Sequence, residues 1–99
     1  MPEPSSRLWE LRDFETFLDA WIHTEHPEQE VVLEVAAWIL SRMDDPYQGV
    51  TRQPDTPDYW HGRIPGTDRG DTSVYCAYYI LVAEHAVRCD IFGTLNRPV

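Results

Sequence analysis

The chain has no lysine: all eight of its basic residues are arginine, set against 17 aspartates and glutamates for a formal net charge of −9. So acidic a balance repels phosphate backbones and anionic lipid headgroups unless the charge is unevenly distributed. Codon bias in a GC-rich genome accounts for the arginine-only usage as readily as selection for guanidinium chemistry does. Long apolar runs are missing too. No segment approaches the roughly 20 apolar residues of a membrane span. No basic N-terminal stretch leads into an apolar one, so the sequence reads as soluble and cytoplasmic, without a secretory signal. The two cysteines, Cys76 and Cys89, could suggest one disulfide, which the strand register has to test. Ninety-nine residues leave room for one two-layer core, which excludes a multi-domain enzyme. Internal repeats and low-complexity tracts are absent.

What is present is bulk. The chain is 42% hydrophobic and 12% aromatic, with four Trp and five Tyr, enough large apolar side chains to offset the entropy of ordering. The acidity is lopsided. Residues 1–45 hold eleven acids and three arginines, net −8; residues 46–72 hold four and three, net −1; residues 73–99 hold two and two, net 0. Any nucleic acid would therefore have to meet the second half of the chain, and no DNA contact is expected at the helices of the first.

The order of elements follows from periodicity. Residues 7–12 suit a short strand carrying Trp9 and Leu11. Asp13 is placed to cap a helix in which Phe14, Phe17, Leu18, Trp21 and Ile22 form one apolar stripe. His26 and Pro27 stop it, and Pro27 suits the first position of a second helix running to Arg42 with Val32, Val35, Ala36, Ile39 and Met43 on its inner face. Residues 46–72, with four Pro, four Gly and four Asp, read as a long irregular loop in which only 59–64 can be a strand. Residues 73–82 and 86–92 form an antiparallel hairpin turning at Glu84 and His85. The resulting fold class is α+β: a single domain, residues 1–99, with a short N-terminal strand and two helices packed on one face of a small antiparallel sheet that ends in a β-hairpin.

That turn predicts a register in which Val74, Cys76, Tyr78, Ile80 and Val82 share the core face with Val87, Cys89 and Ile91. Tyr75, Tyr79, Leu81, Arg88, Asp90 and Phe92 fall on the other. It places Cys76 and Cys89 about four residues apart along the ladder, too far to bridge, so both read as buried free thiols.

Several side chains carry alternative readings. His23, His26 and His61 have the chemistry of zinc ligands, but no further Cys or His has matching spacing, and helix-terminal residues favoured by the dipole account for the first two. No metal or cofactor is expected. Arg52, Arg63 and Arg69 have Asp55, Asp58, Asp68 and Asp71 as nearby partners in the loop. Glu28, Glu30 and Glu34, beside Asp13, Glu15 and Asp19, form either a solvated helical face or a docking surface for a basic protein. Trp60 is either core or a platform for a base or peptide.

The succession of elements resembles the RelE/ParE superfamily of small bacterial toxins, with its HigB-like and phage-derived branches. The resemblance covers roughly residues 7–97. It is carried by Phe14 to Trp21, by Val35-Ala36-Ala37-Trp38-Ile39-Leu40 followed by Asp45-Pro46, by Trp60-His61-Gly62-Arg63-Ile64, and by the hairpin segments beginning at Val74 and Val87. It implies the toxin component of a toxin-antitoxin pair, with metal-independent mRNA cleavage or gyrase inhibition as activity and an antitoxin, RNA or the ribosome as partners. By position it implies Arg63, Tyr79 and Arg97 as site residues, joined by His61 and Arg69. The family's central strand usually offers an Arg after an aromatic residue, where this chain has Cys76 after Tyr75, and the family's lysines have no counterpart. Both departures point to a weak or degenerate nuclease. The alternative is a non-enzymatic acidic interaction module, immunity-like or antitoxin-like, that binds a basic partner through Glu28, Glu30 and Glu34.

Overall fold

Tyr78 has no exposed surface, and the layers of the fold meet around it. A computed structural model describes residues 7–96. The elements run β1 (Glu10–Arg12), α1 (Phe14–Glu25), α2 (Gln29–Ser41), β2 (Thr51–Arg52), β3 (Tyr59–Arg63), β4 (Thr72–Leu81) and β5 (Ala86–Asn96), with a single 3₁₀ turn at Val82–Glu84 between the last two strands. The strands form one sheet in the order β1-β5-β4-β3-β2. β1 pairs parallel with β5, and the other neighbours are antiparallel. The sheet is thus mixed. β1 can lie parallel to β5 because the intervening chain crosses back over one face of the sheet.

Both helices cover that face. Phe14 and Trp21 from α1 and Val31, Val35, Trp38 and Ile39 from α2 are buried against Val74, Cys76, Tyr78 and Ile80 of β4 and Val87 and Cys89 of β5. The rings of Phe14 and Trp38 lie 6.0 and 6.1 Å from that of Tyr78. Trp21 donates from Nε1 to Thr94 Oγ1 at 3.0 Å, which satisfies its one polar atom while the ring packs edge-on against Phe92.

The helix ends differ from the sequence expectation in mechanism. Asp13 sits at the N-cap of α1 in the left-handed region, φ 67°, and its side chain makes no capping bond. Asp tolerates that backbone better than most residues, and its carboxylate takes no part in the cap. α2 begins at Gln29, not at Pro27, because Glu28 remains extended and serves as its N-cap. His26 ends α1 in a left-handed conformation and donates its backbone N–H to Ile22 O, the usual closure of a helix C-terminus.

The region expected to be irregular contains β2 as well as β3, and is tied down by a buried cation. Arg42 is 2% exposed. Its Nη1 donates to Gln48 O at 2.7 Å and to the Tyr78 hydroxyl at 3.1 Å, its Nη2 donates to Ser41 Oγ at 3.1 Å, and its guanidinium lies 4.4 Å from the centre of the Trp38 ring. Tyr78 in turn donates to Pro46 O at 2.5 Å. One carbonyl, two hydroxyls and a π-face, rather than a carboxylate, hold this charge.

An earlier turn and a β-bulge together correct the hairpin register. The strands close at Leu81 opposite Ala86, with Ile80 opposite Val87 and Tyr78 opposite Cys89; past a shift at Ala77/Tyr78, Ala77 faces Ile91 and Cys76 faces Phe92. Asp90 is the extra residue. From there on the alternation of β5 is inverted: Ile91 turns out and is 50% exposed, and Phe92 turns in against Trp21. Because the hairpin closes at Leu81 opposite Ala86, earlier than a turn at Glu84 and His85 would have it, Cys89 faces Tyr78 rather than Ile80 and the cysteines are closer than expected. Both are free and buried; Cys89 Sγ donates to Ile91 O at 4.0 Å, and the neighbouring Cys89 thiol together with burial pushes the Cys76 thiol pKa up.

Candidate functional site on the open sheet face

The face of the sheet away from the helices presents three rows of side chains, set by strand register. Tyr59, Tyr79 and Arg88 form one row across β3, β4 and β5; His61, Ala77 and Ile91 the next; Arg63, Tyr75 and Gly93 the third. Such cross-strand neighbours have Cβ atoms about 4.5–5.5 Å apart. The grid is aromatic. Tyr59 and Tyr79 have ring centroids 4.7 Å apart, and His61 and Tyr75 lie 6.0 Å apart. Arg88 rests its guanidinium 5.0 Å from the centre of the Tyr79 ring. A side chain built on Gly93 would meet nothing within 4 Å, so the third row opens toward solvent.

The grid carries a cation at two opposite corners, and the β1 edge beyond it is charge-balanced. Arg63 and Arg88 are exposed, and among the described residues no ion pair reaches either of them. At the β1 edge, Arg12 is held by Glu10 and Glu84 at 3.2 and 2.6 Å, contacts that raise its pKa further. Tyr59 donates to Asp90 Oδ2 at 2.6 Å. Burial and that hydrogen bond push its phenol upward, and burial does the same to Tyr75. Both phenols therefore stay protonated at neutral pH and serve as donors. His61 contributes an imidazole to the middle row.

Of the residues singled out from sequence, Arg63, Tyr79 and His61 converge on this face. Arg69 does not. It lies on the turn before β4 and reaches to the helical side, where Nε is 3.3 Å from Glu28 Oε1 and Nη2 is 3.7 Å from Glu30 Oε2. Arg97 lies outside the described residues. Glu28 and Glu30 are thus engaged by a cation of their own chain, and Glu34 lies over Gly66, whose added Cβ would come within 2.8 Å of Oε2. Trp60 faces the helical side, half-buried against the core and edge-on to Tyr47 at 5.2 Å. His23 and His26 are exposed, with rings 6.5 Å apart. Among the described residues no group of three His, Cys, Asp or Glu side chains is arranged to hold a metal.

Sequence reasoning placed Arg88 and Tyr75 on the open face without assigning them to the site, and did not use Tyr59. The period-two alternation of 73–82 was the available signal for Tyr75. Arg88 needed the register, and Tyr59 needed the pairing of β3 with β4. Among the described residues, no helix is long and apolar enough to cross a membrane. No protein-family model, no curated protein and no solved structure matches this chain.

Proposed function

We propose that this chain is the RelE/ParE-like toxin component of a toxin-antitoxin pair, and that its open sheet face binds single-stranded RNA and cleaves it weakly without a metal. The observation that carries the reading is the aromatic grid of Tyr59, Tyr75, Tyr79 and His61, flanked by Arg63 and Arg88, which have no ion-pair partner among the described residues. Stacking on aromatic side chains is the sequence-tolerant way to hold unpaired bases, and cations beside the rings meet the phosphates between them.

In this reading His61 accepts the proton of a 2′-hydroxyl, whose oxygen attacks the adjacent phosphorus. Arg63 compensates the charge of the phosphorane, and the Tyr79 hydroxyl, beside Arg88, donates a proton to the departing 5′-oxygen. The P–O5′ bond breaks as the P–O2′ bond forms, leaving a 2′,3′-cyclic phosphate and a free 5′-hydroxyl. Two arginines and no lysine give less charge compensation than a strong nuclease of this type needs, so turnover is slow.

The test is induction of the gene in cells with and without its neighbouring gene product, with mRNA ends mapped by a method selective for 2′,3′-cyclic phosphates. New ends that vanish with His61→Ala and Arg63→Ala support the reading. Growth and mRNA ends unchanged by the wild-type chain contradict it.

A further inference from the structure

On the opposite side of the molecule from the grid, a groove of about 600 Å³ runs between the N-terminal half of α1 and the C-terminal half of α2. Phe14 and Ile39 are its buried lining, Leu18 and Ala36 are half-buried in it, and Leu40 stands at its side, 60% exposed. Leu33, 59% exposed, lies seven residues before Leu40, so the two extend one apolar stripe along α2. Asp13, Glu15 and Asp19 also line the groove. All three are exposed, and among the described residues none has an ion-pair partner. Among the described residues, the three arginines nearest in sequence or fold are otherwise engaged: Arg12 is held by Glu10 and Glu84, Arg69 by Glu28 and Glu30, and Arg42 is buried.

We infer that this groove docks an amphipathic helix of a partner protein, with apolar anchors at three- and four-residue spacing and Lys or Arg on its flanks. Apolar lining beside acids of one sign is the complement of such a segment: the anchors give affinity and the flanking charge gives orientation and on-rate. The acids of one sign disfavour an acidic peptide and an anionic lipid surface. The inference moves acidic docking away from Glu28, Glu30 and Glu34, two of which are occupied by Arg69, to α1. It is independent of the RNA reading, because no residue of the grid takes part.

The experiment displays a library of helical peptides with fixed leucine anchors and flanks randomised between Lys and Glu. It is selected on the full chain and counter-selected on Leu40→Glu. Leu40, Glu15 and Asp19 are exposed, so their variants keep the fold, and thermal melts confirm it. The expected result is enrichment of Lys-flanked peptides. A synthetic Lys-flanked peptide should bind about tenfold or more tighter than its Glu-flanked twin. It should weaken with added salt, lose about tenfold on Leu40→Glu or on Glu15→Arg with Asp19→Arg, and be unaffected by Glu28→Arg with Glu30→Arg. Equal enrichment of both flanks, absence of enrichment, or loss of binding with the Glu28 and Glu30 changes alone overturns the inference. So does concentration-dependent dimerisation abolished by Leu40→Glu, which would assign the face to a second copy of the chain. RNA binding by the same variants is read separately, and its loss or retention bears on the sheet face alone.

Discussion

Arg69 Nε lies 3.3 Å from Glu28 Oε1, so a cation that the loop offered to phosphate and an acid that the helix offered to a partner protein neutralise each other. Both groups are substantially exposed, and a pair of this kind contributes about 0–1 kcal/mol. Arg69→Ala is expected to lower stability in urea by no more than that, and to leave RNA affinity within about twofold of the wild type. A large loss of RNA affinity in this variant would put the binding surface on the helical side.

The Arg42–Tyr78 pair makes a stronger prediction. Removing the Tyr78 hydroxyl leaves Pro46 O without its donor and Arg42 Nη1 with one acceptor fewer in a buried setting. Each such group costs about 1–3 kcal/mol. Tyr78→Phe should therefore lower the unfolding free energy by that order, with a lower urea midpoint, while the helical signal in circular dichroism is preserved. An unchanged midpoint would mean that the node does not hold the 46–50 segment to the sheet.

Burial pushes the Tyr78 phenol up to about 12 from an ordinary 10.0, partly offset by the hydrogen bond from Arg42. Below pH 10 the folded and unfolded chains are both protonated and the contribution is whole. As pH rises from 10 toward 12 the unfolded chain ionises first and stability falls, by about 2–3 kcal/mol once the folded value is passed. Tyr59, also raised, adds a loss of the same sign. Denaturant melts across alkaline pH should show this slope for the wild type and a shallower one for Tyr78→Phe, with none of it between pH 7 and 9.

The bulge at Asp90 predicts a reversal of two neighbouring substitutions. Phe92→Ala removes a ring packed on Trp21 and should cost about 2 kcal/mol or more, a part of the usual cost for a fully buried Phe. Ile91→Thr sits on the exposed face and should fall within about 0.5 kcal/mol. Equilibrium unfolding of the two variants decides between this register and one without a bulge, which orders the costs the other way.

The elements with strong periodicity were legible without coordinates: the stripe of α1 from Phe14 to Ile22, the buried face of α2, and the hairpin. So was the uncovered face holding Tyr75 and Tyr79. What escaped depends on pairing between distant segments. The one-residue bulge leaves no mark in the alternation of β5, because Ile91 and Phe92 are equally apolar, so the facing of those residues was misjudged; the proximity of Cys76 to Cys89 was misjudged because the turn closes at Leu81 and Ala86 rather than about Glu84 and His85. β2 is two residues long and carries no pattern. Arg69 has acidic neighbours in sequence, yet its salt bridges to Glu28 and Glu30 cross to α2, some forty residues away in the chain.

The central claim, that the grid on β3, β4 and β5 holds single-stranded RNA, is tested most directly by titrating the chain into a fluorescently labelled single-stranded oligoribonucleotide and following anisotropy at two salt concentrations. Wild type should bind with an affinity that falls with salt, and more tightly than it binds a duplex of the same sequence. Tyr79→Ala should lose about tenfold, as expected for a lost stacking platform. Arg63→Ala with Arg88→Ala should lose at least as much and flatten the salt dependence. Absence of wild-type binding, or binding that Tyr79→Ala and the double arginine variant leave unchanged, would contradict the account.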